Sequence, residues 1–432
     1  MDLAPPSAPP GTAPTAAPPT GIPRPPRPTP AINPFRAIQR HRNFRYFWIG
    51  QTVSLIGSWM QQVGQGWLAL ELTNDAFLVG LVSAMGSLPV LLFSLYAGVL
   101  VDRTDKLRLV FIAQALFCVE AGLLWWLTWT GNITFGWLLA LATMQGLISA
   151  VEIPARQSLF VELVGREDLL DAVALNSSGF NLARIIGPSI AALVIAQAGL
   201  AWCFAINALS YLAVLGGLLV IRLPPFKPTV QRLTPLQGLV QGIRYMRATP
   251  AISALMRLVA VYAILGVPYL VLMPVIARDV LGTGASGYGF LLTFVGIGAL
   301  AGALTLAARA RRIRRGRWLM YSSYAFSVLL VIFSFVRSVP LAAAVLLFTG
   351  LTMIVNSALA NGILQTLVPD ELRGRVMSAY VFVYVGLSPI GAFTAGVIAR
   401  GVGANWAIGA GGAIMLLYTL WAFSKHKDLS RL

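Results

Sequence analysis

Long apolar runs separated by short polar breaks fill the chain from residue 46 almost to its end. The hydrocarbon core of a bilayer takes about 20 apolar residues of helix to cross. Lipid offers the backbone no hydrogen bonds, so such runs must be helices rather than open strands. Apolar residues make up 57% of the 432 residues and charged residues only 11%, whereas soluble domains carry about 25% charged residues. The sequence therefore predicts an all-α membrane protein.

Twelve runs are long enough to span a bilayer, and they fall into two sets of six. We predict the first six spans at 46–70, 77–101, 109–130, 134–155, 171–197 and 202–221. We predict the second six at 252–278, 286–308, 318–336, 340–364, 375–399 and 405–424. The longest break lies between the two sets, which predicts two pseudo-symmetric six-helix bundles.

Composition and spacing divide the chain into five parts. They are a disordered, Pro-rich cytoplasmic tail at 1–34, a first six-helix bundle at 35–221, a cytoplasmic linker at 222–251, a second bundle at 252–424 and a cytoplasmic tail at 425–432. Prolines as dense as those of the first part cannot form helix. In the linker, a capping Thr234 followed by Pro235 favours a helix start. We expect a short amphipathic helix there, lying on the cytoplasmic leaflet.

The net charge of +17 is distributed in short bursts between the apolar runs. Of the 32 lysines and arginines, two lie within spans, Arg278, Arg337 and Arg400 lie in breaks on one side, and all the others lie on the side of the amino terminus. Cytoplasmic loops carry such an excess. We therefore expect both termini in the cytoplasm of a bacterium and a multi-pass protein in its inner membrane. Nucleic acid is not an expected partner, because no soluble domain is available to bind it.

The two sets of spans show a weak internal sequence similarity. Leu163-Val164 in the first set and Leu367-Val368 in the second each precede an acidic–basic loop and a glycine-rich helix. Gly187 and Gly391 stand at the same offset from these pairs. Duplicated six-helix halves are the construction of one large class of transporters, which hold the substrate between the halves near the midplane.

The break after the second span has a distinctive pattern, with Gly98, three residues, Asp102-Arg103 and then a basic cluster at Lys106 and Arg108. This resembles the signature loop of the major facilitator superfamily. The second glycine of that loop is Asp105 here, a departure similar to the enterobactin-exporter-like and macrolide-efflux-like branch. Stretches such as IGSWMQQVGQGWLALELT and LVPDELRGRVMS fit the same branch, and the likeness covers nearly all of residues 35–424.

Two departures from the family pattern bear on mechanism. The arginine that many drug antiporters carry before the Gln-Gly of the fourth helix is Ala142 here, although Gln145-Gly146 is present. The second-half counterpart of the signature loop, residues 308–317, has no acidic residue. The resemblance therefore implies an asymmetric gate in the first half that holds one state of the cycle closed. Asp102 and Arg103 form it, and Gly98, Lys106 and Arg108 of the same loop are further gating candidates. The alternative is that these charges only set the topology.

Charged residues inside spans are costly in a membrane and usually functional. Glu120 is a candidate for the protonatable coupling carboxyl, although third helices of this family usually face lipid. Glu152 and Arg156 stand one helical turn apart and are expected to pair, either for coupling or as a static pair. Arg184 is a further coupling candidate. It needs an acidic or backbone partner, and Glu120 and Glu152 are the acids near enough in sequence.

A polar stripe of Ser54, Ser58, Gln61 and Gln65 lies on one face of the first predicted helix. The resemblance places this helix along a central cavity, so Gln61 and Gln65 are candidate substrate contacts; hydrogen bonds between helices are the alternative. We add further candidates for the cavity wall on the first, fourth, seventh and tenth spans: Trp59, Gln145, Tyr262, Tyr269 and Asn356.

The sequence predicts a secondary active transporter that works by alternating access. The resemblance implies a monomeric, proton-coupled exporter of an amphipathic small molecule such as a drug, macrolide or siderophore. An importer of a small nutrient and a non-transporting membrane sensor or scaffold are the alternatives. We predict no enzyme, cofactor or metal, because we find no catalytic or metal-binding cluster and no phosphate-binding loop, and His41 and His426 lie outside the spans.

Overall fold

The computed structural model describes residues 34–165, 167–224, 235–309 and 313–426. The predicted disorder of the Pro-rich tail, part of the linker and residues 427–432 lie outside the described residues. Within the described residues the secondary structure is helical, without strands. The predicted all-α fold is confirmed.

The first half follows a short helix, α1 (Pro34–Arg40). Its six long helices are α2 (Arg42–Thr73), α3 (Ala76–Arg103), α4 (Lys106–Trp129), α5 (Phe135–Val164), α6 (Leu169–Ala198) and α7 (Ala201–Val220). Helix α2 packs along α7 and α6, α3 packs along α5, and α4 packs against α7 and α5. Polar caps begin several of these helices; the Asp75 carboxylate accepts a hydrogen bond from the Phe77 amide, for example.

The second half follows α8 (Pro235–Ala248), which begins at the proline that predicts a helix start. Its helices are α9 (Pro250–Val261), α10 (Tyr269–Val275), α11 (Ala285–Arg309), α12 (Arg315–Phe335), α13 (Val339–Leu367), α14 (Asp370–Gly386), α15 (Ser388–Val402) and α16 (Ala404–Lys425). Helix α8 packs on α14 and α9. A Cβ on Gly242 would lie 2.5 Å from the Arg375 carbonyl oxygen, so this contact is close.

Eleven segments of the described chain are long and apolar enough to cross a membrane. The remaining long helix, α2, has 32 residues and buries polar side chains against its neighbours, among them Gln51, Ser54, Gln61 and Gln65. These side chains lower its mean hydropathy without exposing it to solvent. With α2 as the twelfth span, the architecture is that of two six-helix bundles.

The seventh and eleventh spans are not continuous helices, unlike the runs predicted at 252–278 and 375–399. Two π-helical turns, Tyr262–Gly266 and Ile276–Val280, flank α10. Pro268 and Pro274 lack the amide hydrogen that an α-helix needs, and a wider turn accommodates a proline ring. The Val267 amide accordingly donates to the Tyr262 carbonyl oxygen, five residues back. Leu387 similarly separates α14 from α15, next to Pro389.

Small residues let helix backbones approach each other within and between the halves. Gly298 and Gly350 face each other where α11 crosses α13, and a Cβ on either would overlap a backbone carbonyl of the other helix. Between the halves, a Cβ on Gly80 would lie 2.7 Å from the Ala392 carbonyl oxygen, and one on Gly289 would lie 2.9 Å from that of Pro188. Lipid provides little hydrophobic force between helices, so such close packing supplies the attraction.

We expect Gly350→Ala to destabilise the protein by about 1–3 kcal/mol, because the added methyl group has no space beside Val295. The measurement is the thermal unfolding midpoint of the purified protein. Gly122→Ala is the matched control, since Gly122 also lies within a long helix and a Cβ there would have nothing within 4 Å. Equal midpoints for the two variants would contradict the packing described here.

Candidate functional site

A cavity of about 490 Å³ lies between the two halves. Helices α2, α3, α5 and α6 of the first half and the seventh, eighth and eleventh spans of the second half form its walls. The walls combine apolar side chains with amides and hydroxyls, and none of the lining residues is charged. Its size suits a drug-sized solute. In the described part of the chain, no group of three or more His, Cys, Asp or Glu residues could hold a metal ion.

Three of the predicted cavity residues, Trp59, Gln65 and Gln145, line this cavity. Gln65 is almost fully buried, and its Nε2 has no hydrogen-bond partner among the residues that the structure describes. Phe180, which also lines the cavity, is 43% exposed. The wall therefore contains a buried amide donor without an acceptor, among aromatic and polar side chains.

The other predicted wall residues do not line the cavity. The Gln61 side chain points into the core of the first half. The polar stripe of α2 lies at the boundary between the face that lines the cavity and the face that packs in the core, so its members point to different sides. Tyr262 and Tyr269 are buried in the second half beside Met353, whose carbonyl oxygen lies 3.4 Å from the Tyr262 hydroxyl. Asn356 donates to the Ser323 hydroxyl at 2.5 Å. For Gln61 and Asn356, hydrogen bonding between helices is the role that the structure shows.

A buried hydrogen-bond network joins α2, α4 and α7. Gln61 donates through Nε2 to both carboxyl oxygens of Glu120, at 3.1 and 3.0 Å. Asn207 donates to Gln61 Oε1 at 2.7 Å, and Ser210 donates to Asn207 Oδ1 at 3.1 Å. The Glu120 side chain is fully buried and faces the bundle interior rather than lipid. Gln61 and Glu120, predicted separately as a substrate contact and a coupling group, are thus direct partners.

Glu152 and Arg156 form the ion pair that their spacing predicts, with 2.7 Å between the Glu152 Oε1 and the Arg156 Nε. Gln114 of α4 donates to the same carboxylate oxygen at 3.2 Å. The pair therefore connects α5 to α4 inside the first half, away from the cavity wall. Whether it takes part in coupling stays a prediction.

Arg184 has neither of the acidic partners proposed for it. Glu120 bonds to Gln61 and Glu152 bonds to Arg156 and Gln114, and neither acid contacts Arg184. The guanidinium donates at 3.3 Å to the Asn181 side chain on its own helix, and its buried Nε has no partner in the described residues. The expected acidic pairing is wrong. The Glu120 carboxylate points to α2 instead, and the Glu152 carboxylate points to Arg156 and to α4.

The signature loop lies at the junction of α3 and α4. Asp102 is half-buried, Arg103 is exposed, and a Cβ on Gly98 would have nothing within 4 Å. Asp105, at the position of the family's second glycine, caps α4: its carboxylate accepts from the Arg108 amide at 3.1 Å. This geometry accounts for the departure, since an aspartate at that position satisfies an amide that a glycine would leave unpaired.

The basic cluster of this loop reaches a neighbouring helix. The Lys106 ammonium lies 3.1 Å from the Glu162 carboxylate near the end of α5. The Arg108 guanidinium stays beside Asp105, at 4.0 Å, and is mostly exposed. Of these two predicted gating residues, Lys106 is therefore the one that ties two helices together.

At the opposite end of the bundle, which we name the closed end, the halves are joined by contacts that the sequence analysis missed. Arg278 donates to the Asn74 side chain and, at 3.4 Å, to the Leu70 carbonyl oxygen. The Arg400 guanidinium lies 3.3 Å from the Asp75 carboxylate. Two of the three arginines on the sparsely charged side thus bind the loop between α2 and α3. Few basic residues lie on that side of the membrane, and this scarcity was the sequence feature that could have pointed to Arg278 and Arg400 as contacts between the halves.

A second cluster fastens α1 to the first half. His41 Nε2 lies 2.9 Å from Asp168 Oδ2, and the guanidinium groups of Arg36 and Arg40 lie 3.4 and 3.7 Å from the same carboxylate. The hydrogen bond from His41 and the charges of Arg36 and Arg40 hold the pKa of the Asp168 carboxyl below its usual range. Stabilisation by such a group is present above its unfolded-state pKa and is lost only as pH falls through the folded-state pKa. The contact is therefore intact at neutral pH.

We expect Arg278→Gln to loosen the closed end. A cysteine placed at the wall residue Ser83, with Cys118 and Cys203 replaced by serine, should then react with a membrane-impermeant maleimide added at the closed end roughly two to five times faster. That factor corresponds to a loss of about 0.5–1 kcal/mol of partly exposed contacts.

Arg337→Gln is the control for this labelling experiment. Arg337 lies at the same end of the bundle, but it donates to the Ser334 and Val336 carbonyl oxygens at the end of its own helix. Its loss should leave the labelling rate unchanged. An Arg278→Gln rate equal to that of the control would contradict the role of Arg278 in closing this end.

Comparison with known proteins agrees with this architecture. The chain is 27% identical over 363 residues to the staphyloferrin A transporter of Staphylococcus aureus, with 80% of this chain and 87% of that protein covered. It is 26% identical to the enterobactin exporter EntS of Shigella flexneri, with 82% and 84% covered.

Solved structures share the fold at low sequence identity. A bacterial homologue of the human lysosomal transporter Spinster, in an inward-facing and unoccupied conformation, superimposes with a TM-score of 0.67 at 14% identity, over 91% of this chain and 97% of the other. The peptide transporter POT gives 0.71 at 11% identity, over 90% and 95%.

The model of the transmembrane secretion effector family matches residues 31–427, nearly the whole chain. This match, the two sequence relatives and the shared fold agree with the signature loop and the paired six-helix halves. The chain belongs to the transmembrane secretion effector family of major facilitator transporters, which are not enzymes.

Proposed function

We propose that this protein exports an amphipathic small molecule from the bacterial cytoplasm across the inner membrane, driven by an inward flow of protons. The observation that carries the proposal is the cavity between the halves, whose walls are mainly apolar, with amides, hydroxyls and aromatic rings but no fixed charge. Such walls suit a solute with a large apolar surface and several hydrogen-bonding groups. Relatives named for enterobactin and staphyloferrin A favour a siderophore over a drug or macrolide.

The direction of the chain in the membrane follows from its charges. Cytoplasmic loops are enriched in lysine and arginine, so the end opposite the closed end, which carries Arg103, Lys106 and Arg108, faces the cytoplasm. Both termini then lie inside the cell. In this orientation the contacts that Arg278 and Arg400 make between the halves lie on the outer side of the membrane, as expected of a state that takes up an export substrate from the cytoplasm.

Asp102 and Arg103 are proposed to act when the other state forms. Helix α3 already contacts α8 and, in the second half, α14, so closure of the cytoplasmic end must tighten these contacts rather than create them. A carboxylate is stabilised beside a helix amino terminus. The second-half loop at 308–317 has no acidic residue, so the gate is asymmetric and depends on the first half. Lys106 would hold this loop in place through Glu162.

Glu120 is the proposed coupling group. Its carboxyl is fully buried, and among the described residues its hydrogen-bond partner is the uncharged Gln61. A buried carboxylate without a cationic partner is costly, and taking up a proton removes the charge. Protonation turns one acceptor oxygen of the Glu120 carboxyl into a donor. The Gln61 amide, which donates to both oxygens, must then rotate or lose one of its two hydrogen bonds.

The network connects this proton site to the cavity. Gln61 belongs to α2, and the residue after it, Gln62, lines the cavity. Ser58, one turn earlier, also lines the cavity and lies 3.2 Å from the hydroxyl of Tyr211, next to Asn207 and Ser210 on α7. A change in the protonation of Glu120 therefore acts on the helix that contacts the solute.

Transport by everted membrane vesicles tests the proposal. Vesicles containing the wild-type protein should accumulate enterobactin, staphyloferrin A or erythromycin when their interior is acidified, and an uncoupler should abolish the accumulation. Glu120→Gln should lose the gradient-dependent accumulation while keeping exchange of the solute between the two sides, because the cavity is intact. Glu71→Gln, which removes an exposed carboxylate from α2, is the control and should behave as wild type.

Three outcomes would contradict this proposal. Accumulation of none of the compounds would remove the proposed substrate class. Uptake confined to right-side-out vesicles would show an importer instead. Gradient-driven accumulation at the wild-type level by Glu120→Gln would place the coupling group elsewhere.

A further inference from the structure

The side chain of Arg184 is a guanidinium midway along α6 with most of its donors unused. A guanidinium has five N–H donors, and the described residues supply one acceptor, the Asn181 Oδ1 at 3.3 Å on the same helix. The buried Nε has none. No carboxylate in the described chain contacts Arg184. An unpaired charge at this depth is costly, and proteins retain such groups where a ligand or a partner compensates them.

Arg184 lies at the border of the central cavity. Phe180 stands four residues earlier, on the same face of α6, and lines the cavity wall. Tyr262, Tyr269 and Tyr384, all in the second half, are close enough to Arg184 to interact with it electrostatically. Neighbours of these tyrosines, among them Pro268 and Ser388, also line the cavity. The guanidinium therefore faces the other half at the edge of the site where the solute would bind.

The unsatisfied groups at this site are donors. Gln65 Nε2 in the cavity wall lacks an acceptor, as does Arg184 Nε at its border. The Tyr269 hydroxyl, opposite Arg184, can also donate to an anion, since it has only a long contact of 3.8 Å to the Met353 sulfur. A site with unpaired donors and a positive charge is complementary to oxygen acceptors that carry negative charge.

We propose that Arg184 binds an anionic oxygen group, such as a carboxylate, of the transported solute. This inference rests on the proposed transport function and narrows its substrate class from amphipathic molecules in general to amphipathic acids. The apolar walls hold the body of the solute, and the guanidinium, with Gln65 and the Tyr269 hydroxyl at the border of the cavity, orients its charged end. Because Arg184 is on the first half and the tyrosines are on the second, a bound anion joins the two halves.

Binding to the purified protein in nanodiscs tests the assignment. The probes are staphyloferrin A and enterobactin, each compared with its fully methylated, uncharged derivative by isothermal titration calorimetry. Wild type should bind at least one acid about tenfold more tightly than its derivative. Arg184→Gln should lose that preference without changing the affinity for the derivative, whereas Arg184→Lys should keep part of it.

Arg257→Gln is the matched control, since it removes an exposed arginine that lies beside His426 at the end of the bundle. It should keep the preference for the acid. A preference for the acid that survives in Arg184→Gln overturns the inference, and so does the absence of any preference in wild type, including the absence of binding. Transport of uncharged compounds by Arg184→Gln would show that the export function stands even where the anion site fails.

An anionic lipid headgroup carries the same chemistry and is distinguished by the composition of the disc. Titrations in discs of phosphatidylcholine are compared with titrations in discs that also contain phosphatidylglycerol. Equal affinity for the acid in the two supports a solute site. An acid that binds only when phosphatidylglycerol is absent would identify a lipid headgroup as the occupant and overturn the assignment to the solute.

Discussion

The bilayer provides no hydrogen bonds, and every buried polar group of this protein must find its partner inside the protein. This constraint makes the chain helical and gathers the polar side chains of α2 into contacts with α4 and α7, through Gln61 and Asn207. It also makes the exceptions informative. Among the five unpaired buried polar atoms of the described residues, those of Gln65 and Arg184 are donors beside the cavity, at the place where a solute can supply an acceptor.

The two halves share a fold but bury different kinds of polar side chain. The carboxylates that the described chain buries, Glu120 and Glu152 within spans and Asp168 and Asp171 at the start of α6, all belong to the first half. In the second half, buried hydroxyls and amides such as Ser323 and Asn356 take their place. The second half instead supplies the broken helices around α10 and α15, and residues at these breaks, among them Pro268 and Ser388, line the cavity. In our proposal one half therefore carries the proton and the charge, and the other supplies adaptable walls.

The sequence predicted the fold well because span length and hydropathy are local properties of the chain. The helix start at Pro235 and the pair of Glu152 and Arg156 were equally local, since capping and i,i+4 spacing need no knowledge of other helices. The orientation of side chains was not predictable in the same way. Gln61 and Gln65 are one turn apart on α2, yet one faces Glu120 and the other faces the cavity. Only the rotation of α2 against its neighbours decides between them.

The contacts between the halves could not be predicted from the sequence for a related reason. Arg278 and Arg400 lie far from Asn74 and Asp75 along the chain, and only the assembled fold brings them together. Tyr262 and Tyr269 recur with helical spacing, but the π-helical turns beside Pro268 alter the faces that an uninterrupted helix would present. Such breaks are visible in the sequence as prolines, although their effect on the helix faces is not.

We propose that the two halves pivot about the cavity, so that one end closes as the other opens. Electron–electron distance measurements on two pairs of spin labels test it most directly, with one pair at Glu71 and Val402 near the closed end and the other at Leu100 and Ser378 toward the opposite end. Between acidic and alkaline conditions, with and without a transported solute, the account predicts that one distance lengthens while the other shortens. Distances that stay fixed, or that change in the same direction, would contradict it.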